Sequence, residues 1–223
     1  MTILVPIDPT EPSRAAVRLA GLMATEQDHD VVLFHASTAR PPLDYLAALH
    51  RVGQPLRDLG LNVRLRTALA RPGPAICAEA LARSCAWIVM GTRRPMATGI
   101  ANNGLAMHIM THSDVPVLAV RPGVPAGNGP TAWISPVGGE ARRIAQLIGR
   151  AEGRADVRLF PALDDHEPIR DGAGRVQNDL SSVVIDFSPT CVHQDWCQRV
   201  LQDATADVLL VRGSHCACET GIP

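Results

Sequence analysis

The sequence predicts an α/β protein: a mainly parallel five-stranded sheet with helices on both faces, followed by a smaller, truncated α/β copy. Three observations carry this. Short apolar runs lack the alternation of a half-buried strand, helically periodic stretches separate those runs, and the pattern restarts after a Gly/Pro-rich interruption at 121–130.

Residues 3–7 (ILVPI) form the first run, apolar on both faces, and end at Asp8. After the breakers Pro9 and Pro12, Ala16, Val17, Leu19, Ala20 and Met23 recur at helical spacing over 13–23. Residues 31–35 make a second strand, 44–59 a helix in a more polar stretch, and 63–67 a third strand. Residues 73–84, opened by Pro72 and Pro74, carry Ile76, Ala80 and Leu81 as a further helix. A fourth strand at 86–91, a helix at 104–111 and a fifth strand at 115–120 follow. Each parallel crossover needs an intervening helix, and ligands of such sheets bind beyond the carboxyl ends of the strands, where Asp8 and Gly91 fall.

Residues 121–130 hold three Gly and three Pro, the composition of a linker. Beyond it, strands are expected at 131–137, 156–163, 182–187 and 206–211, with helices at 139–151 and 194–203. The polar stretch 164–178 stands where a full copy would place a helix, a strand and a helix. An internal echo, SDVPVLAVRPG at 113–123 and ADVLLVRGS at 206–214, supports two related domains. The expected division is 1–123, a linker at 124–130, a shortened domain at 131–213 and a tail at 214–223. An open edge strand invites another chain, so 115–120 and 208–211 are expected to cover each other in an internal pseudo-dimer, or to pair in a homodimer.

The 223-residue length suits one and a half such domains. With 46% hydrophobic and 19% charged residues the chain can bury a core. A formal net charge of -1 provides no field for nucleic acid or an anionic membrane. No apolar run approaches membrane-spanning length and no secretory leader opens the sequence, so a cytoplasmic protein is expected. Its cysteines are then reduced, with Cys77 and Cys85 read as small core residues.

Residues 1–123 resemble the universal stress protein family, an adenine-nucleotide-hydrolase-like fold. The carrying segments are ILVPIDPTEPSRAAVRLA at 3–20, VLFHAS at 32–37, GPAICAEA at 73–80, WIVMGT at 87–92 and SDVPVLAVRP at 113–122. The resemblance implies a parallel five-stranded sheet, dimerisation often through the last strand, and in some members ATP at the sheet's carboxyl edge. In those members an Asp after the first strand contacts the adenosine, a backbone position after the second strand contacts adenine, and a G-x2-G-x9-G-[ST] loop cradles the phosphates. Glycines let backbone amides approach phosphate oxygens there. Asp8 and Gly91 match the pattern, Ala36 occupies the place of the adenine contact, and Thr92, following Gly91, is a further candidate contact. The loop departs elsewhere: Arg94 stands at the second glycine, and Gly104 fits the third only with Leu105 in place of the hydroxyl residue. Shifting by one residue puts Asn103 at the glycine and Gly104 at the hydroxyl position. Arg94 either pairs with a phosphate or fills the space of one, and Asp8 either contacts nucleotide or orders its loop. In the second domain Gly138 and Gly139 replace the Asp, and Asp186, Phe187 and Ser188 replace the loop start, so no phosphate loop is expected there.

The implied function is a non-enzymatic regulatory or stress-response binding protein, whose ligand is ATP or another adenine nucleotide and whose partner is a protein or a second copy of itself. Neither a nucleophile elbow, a Walker loop nor an HExxH helix is present. Slow ATP hydrolysis is the residual catalytic reading, with no base positioned by the sequence. The alternative is a metal- or thiol-responsive sensor using Cys191, His193, Cys197, His215, Cys216 and Cys218, whose spacing fits no standard finger. His108 and His112, four apart, share a helical face that a metal could bridge, although exposed helix histidines are the commoner case.

Overall fold

The computed structural model describes residues 1–92, 104–121, 131–134, 143–144, 146, 157–160, 182–186 and 207–212. The chain divides into two units, Met1–Arg121 and Pro122–Pro223.

In the first unit the strands are β1 (Thr2–Pro6), β2 (Asp30–Ser37), β3 (Val63–Leu69), β4 (Trp87–Gly91) and β5 (Val117–Arg121). All neighbours run parallel, in the order β3-β2-β1-β4-β5. Ile3, Leu4 and Val5 are fully buried, as a strand covered on both faces requires. The helices are α1 (Glu11–Gln27), α2 (Leu43–Val52), α3 (Gln54–Asp58), α4 (Pro72–Ala82) and α5 (Gly104–His112). α1 lies against β1, β4 and β5 and touches α2 and α3, while α4 lies against β2 and α5. Pro12 lies in the first turn of α1, where its missing N–H would have had no helical partner. Asp28 closes the helix in a left-handed conformation (φ 52°), its N–H reaching the Ala24 carbonyl.

The single helix expected over 44–59 is two. Gly53 caps α2 and Pro55 lies in the first turn of α3, where it offers no N–H to continue the earlier helix. The third strand runs two residues further than expected, to Leu69, still paired with Ser37. Cys85 is buried as expected, but Cys77 is only half-buried, so the core reading holds for one of the two.

In the second unit β6 (Thr131–Ile134), β7 (Val157–Phe160), β8 (Ser182–Asp186) and β9 (Asp207–Arg212) pair in parallel in the order β7-β6-β8-β9. Among the described residues this is the order of the first unit without a counterpart of its outermost strand β3. The expected linker, the stretch 164–178, the tail and the C-terminal cysteines and histidines lie outside the described residues. Among the described residues no helix is long and apolar enough to cross a membrane.

Candidate functional site

From β1 the chain steps through β2 to β3 on one side, then crosses back to place β4 on the other side of β1. The crossover direction therefore reverses between β1 and β4, and ligands of open α/β sheets bind at the carboxyl ends of the strands flanking such a point. Asp8 follows β1, Ala36 lies near the end of β2, and Gly91 ends β4 with Thr92 after it, so three adjacent strands bring these residues to one edge.

Asp8 is half-exposed and its carboxylate is held in place. One oxygen, Oδ1, accepts the Thr10 backbone N–H at 3.1 Å, the Ser13 hydroxyl at 2.6 Å and the Thr10 hydroxyl. In return the Ser13 Oγ accepts the Asp8 N–H at 3.0 Å. Ser13 belongs to the first turn of α1 and is buried, so the loop between β1 and α1 is tied to the helix through this carboxylate. Both readings of Asp8 remain physically compatible, because a carboxylate fixed for loop order is also preorganised for a ligand.

Two side chains not singled out in the sequence complete this edge. His35, near the end of β2, places Nδ1 2.9 Å from the Ile7 carbonyl. A carbonyl oxygen only accepts, so Nδ1 carries the proton and donates. Tyr45 of α2 is tilted against the His35 ring, with centroids 5.2 Å apart and planes at 53°. Burial pushes the Tyr45 phenol above its ordinary 10.0, and the negative charge of Asp8 raises it further. Sequence spacing hides this trio because each member comes from a different element. Tyr45 is the chain's one tyrosine, so its phenolate absorbance reads it alone. We expect a midpoint above 10.0 that Asp8→Asn lowers without abolishing the shift, since burial is the larger cause. The raised value means that this phenol stays protonated in the folded state while it ionises in the unfolded one, so its contribution to stability is intact below pH 10 and declines above it. A midpoint unmoved by Asp8→Asn would refute the Asp8–Tyr45 coupling.

Gly91 is glycine for a reason visible within the fold. A Cβ there would lie 2.2 Å from both the carbonyl carbon and the oxygen of Pro12. Its bare Cα therefore admits the start of α1, and Thr92 continues the ladder with its N–H 2.7 Å from the Val120 carbonyl. Gly104 opens α5, and a Cβ there meets nothing within 4 Å among the described residues. Leu105 beside it is 41% exposed. Arg94 lies outside the described residues.

His108 and His112 do share a face of α5: their rings stack at 4.3 Å, and the His112 Nδ1 lies 2.8 Å from the His108 carbonyl. The His108 ring also covers Gly73 of α4, where a Cβ would sit 2.5 Å from its Cδ2. Among the described residues no three His, Cys, Asp or Glu side chains gather to hold a metal.

A parallel five-stranded sheet covered by helices on both faces, with an acidic residue and a glycine flanking the reversal point, defines an open α/β protein whose candidate ligand edge lies at the carboxyl ends of β1 and β4. The chain belongs to the universal stress protein family, whose model matches residues 1–121. Among solved structures it is similar in fold to a functionally unknown protein of Pseudomonas aeruginosa PAO1, at 18% identity over 96% of this chain and 92% of that one, with a TM-score of 0.62. A universal stress protein of Archaeoglobus fulgidus DSM 4304 aligns over 94% of this chain and 97% of its own, at 12% identity and a TM-score of 0.62. No curated protein matches the chain in sequence.

Proposed function

We propose that this universal stress protein is a non-enzymatic regulatory binding protein whose first unit takes an adenine nucleotide with low affinity. The carrying observation is the convergence of Asp8, Ala36, Gly91 and Thr92 at the carboxyl ends of three adjacent parallel strands. The fixed Asp8 carboxylate suits the hydroxyls of a ribose, and the backbone at Ala36 suits the edge of the base. Thr92, Arg94, Gly104 and Leu105 would then face the phosphates. The fit is partial: the Asp8 end is preorganised, while the space at the Gly91 Cα is taken by Pro12, which removes one of the close backbone approaches a phosphate cradle uses. Low affinity follows from that imbalance.

The second unit, in this reading, is a shortened copy running over 131–213 that serves structure or partner binding, reached through 124–130 and followed by a tail at 214–223. Its strand order supports this, being, among the described residues, that of the first unit without a counterpart of β3.

Calorimetric titration of the whole protein with ATP, AMP and cyclic AMP tests the nucleotide reading. Saturable heat in the micromolar to millimolar range, weakened about tenfold to a hundredfold in Asp8→Asn, is the expected result. Absence of heat at millimolar ligand overturns it and leaves a protein-interaction scaffold.

A further inference from the structure

β3 is the outer strand of the first unit, paired with β2 along its length. None of its residues is buried, whereas β1 and β4 each bury four in a row. Leu69 at its end is 71% exposed.

This edge is also basic. All 21 basic residues of the chain are arginines, whose planar fork matches a carboxylate and is less strongly hydrated than an ammonium. Arg64 and Arg66 are both exposed, and a spacing of two puts them on one face of the strand. On that face Arg66 reaches toward α4, with its Nε 3.1 Å from Glu79 Oε1. The same oxygen also pairs with the Arg83 Nε. One carboxylate oxygen thus serves two guanidinium groups, each with further donors. Among the described residues Arg64 and the nearby exposed Arg71 enter no ion pair. Val63, Leu65 and Leu69 occupy the other face of the strand.

We propose that β3 receives an extended acidic segment of a partner protein as an added strand. Carboxylates at alternate positions face Arg64 and Arg66, and the intervening apolar residues lie beside Leu65 and Leu69. Charge selects this occupant over a second copy of the chain. Two β3 strands laid edge to edge would bring their arginines together on one face, and opposed like charges destabilise a strand pair. An acidic strand neutralises the same row and gains two-pronged guanidinium contacts.

Fluorescence anisotropy of the whole protein with a labelled peptide of alternating valine and glutamate, matched to the 7 residues of β3, tests the proposal. Saturable binding that weakens with salt is expected, with none for the lysine counterpart. Arg64→Glu should weaken it about tenfold, and Arg64→Gln about threefold, because charge reversal adds repulsion to the lost attraction. A third peptide, N-methylated at alternate residues, keeps every carboxylate but removes ladder donors, and it should not bind. Equal binding of the methylated peptide overturns strand addition in favour of a diffuse charged patch. No binding of the glutamate peptide also overturns it, leaving the arginines as protection of the edge against self-pairing.

Discussion

Gly91→Ala is expected to destabilise the protein by about 3 kcal/mol or more, at the upper end of overpacking costs. The added methyl lands 2.2 Å from the carbonyl carbon and oxygen of Pro12 and 2.8 Å from its Cβ. Backbone atoms cannot swing aside as a side-chain tip can, and neither partner is free to retreat. β4 is held between β1 and β5, with Gly91 in register with Val120. Pro12 lies in the first turn of α1 and is followed by Ser13, which is bound to Asp8. For a chain of this size the cost corresponds to a fall in Tm of about 10 °C. Gly104→Ala is the informative partner, because its Cβ meets nothing within 4 Å among the described residues. It should be neutral or stabilising by a few tenths of a kcal/mol, as glycine is a poor helix residue. Thermal melts followed by circular dichroism separate the two, and a Gly91→Ala protein with unchanged Tm would show that the Pro12 contact is not a constraint. Any loss of nucleotide binding in Gly91 variants must accordingly be read against their lost stability.

The difference between the two glycines shows where sequence reasoning reaches and where it stops. Strand β1 was legible because ILVPI is apolar on both faces, which only a doubly covered strand tolerates, and Ile3, Leu4 and Val5 are fully buried. The break between α2 and α3 was hidden for a related reason. Leu49, Val52 and Leu56 continue one apolar stripe and all three are buried, so periodicity ran through Gly53 and Pro55 although both are breakers. At the site, Asp8 could be read from its place after a strand, a local feature. Its anchoring to Ser13, the Tyr45–His35 pair and the seat of Pro12 on Gly91 depend on contacts between elements far apart in the chain, for which spacing carries no signal.

Asp8 is the residue at which loop order and ligand binding must be pulled apart, and two substitutions do so. Asp8→Ala removes the acceptor of three hydrogen bonds, from the Thr10 N–H, the Thr10 hydroxyl and the Ser13 hydroxyl. Buried donors left unpaired cost about 1–3 kcal/mol each, but Asp8 is half-exposed and water replaces part of what is lost, so a total of about 2 kcal/mol is expected. Asp8→Asn keeps an amide oxygen where Oδ1 lies, so the same donors stay paired and the cost should remain under about 1 kcal/mol. The ligand sees the opposite ranking of importance: an amide lacks the charge that makes carboxylate hydrogen bonds roughly twice as strong as neutral ones. Nucleotide affinity should therefore fall about tenfold to a hundredfold in Asp8→Asn while its urea midpoint stays near that of the parent protein. That combination assigns the carboxylate to binding. Affinity unchanged in Asp8→Asn, with stability lost only in Asp8→Ala, would assign Asp8 to the β1–α1 loop alone. The adenine-nucleotide reading would then lose its strongest residue.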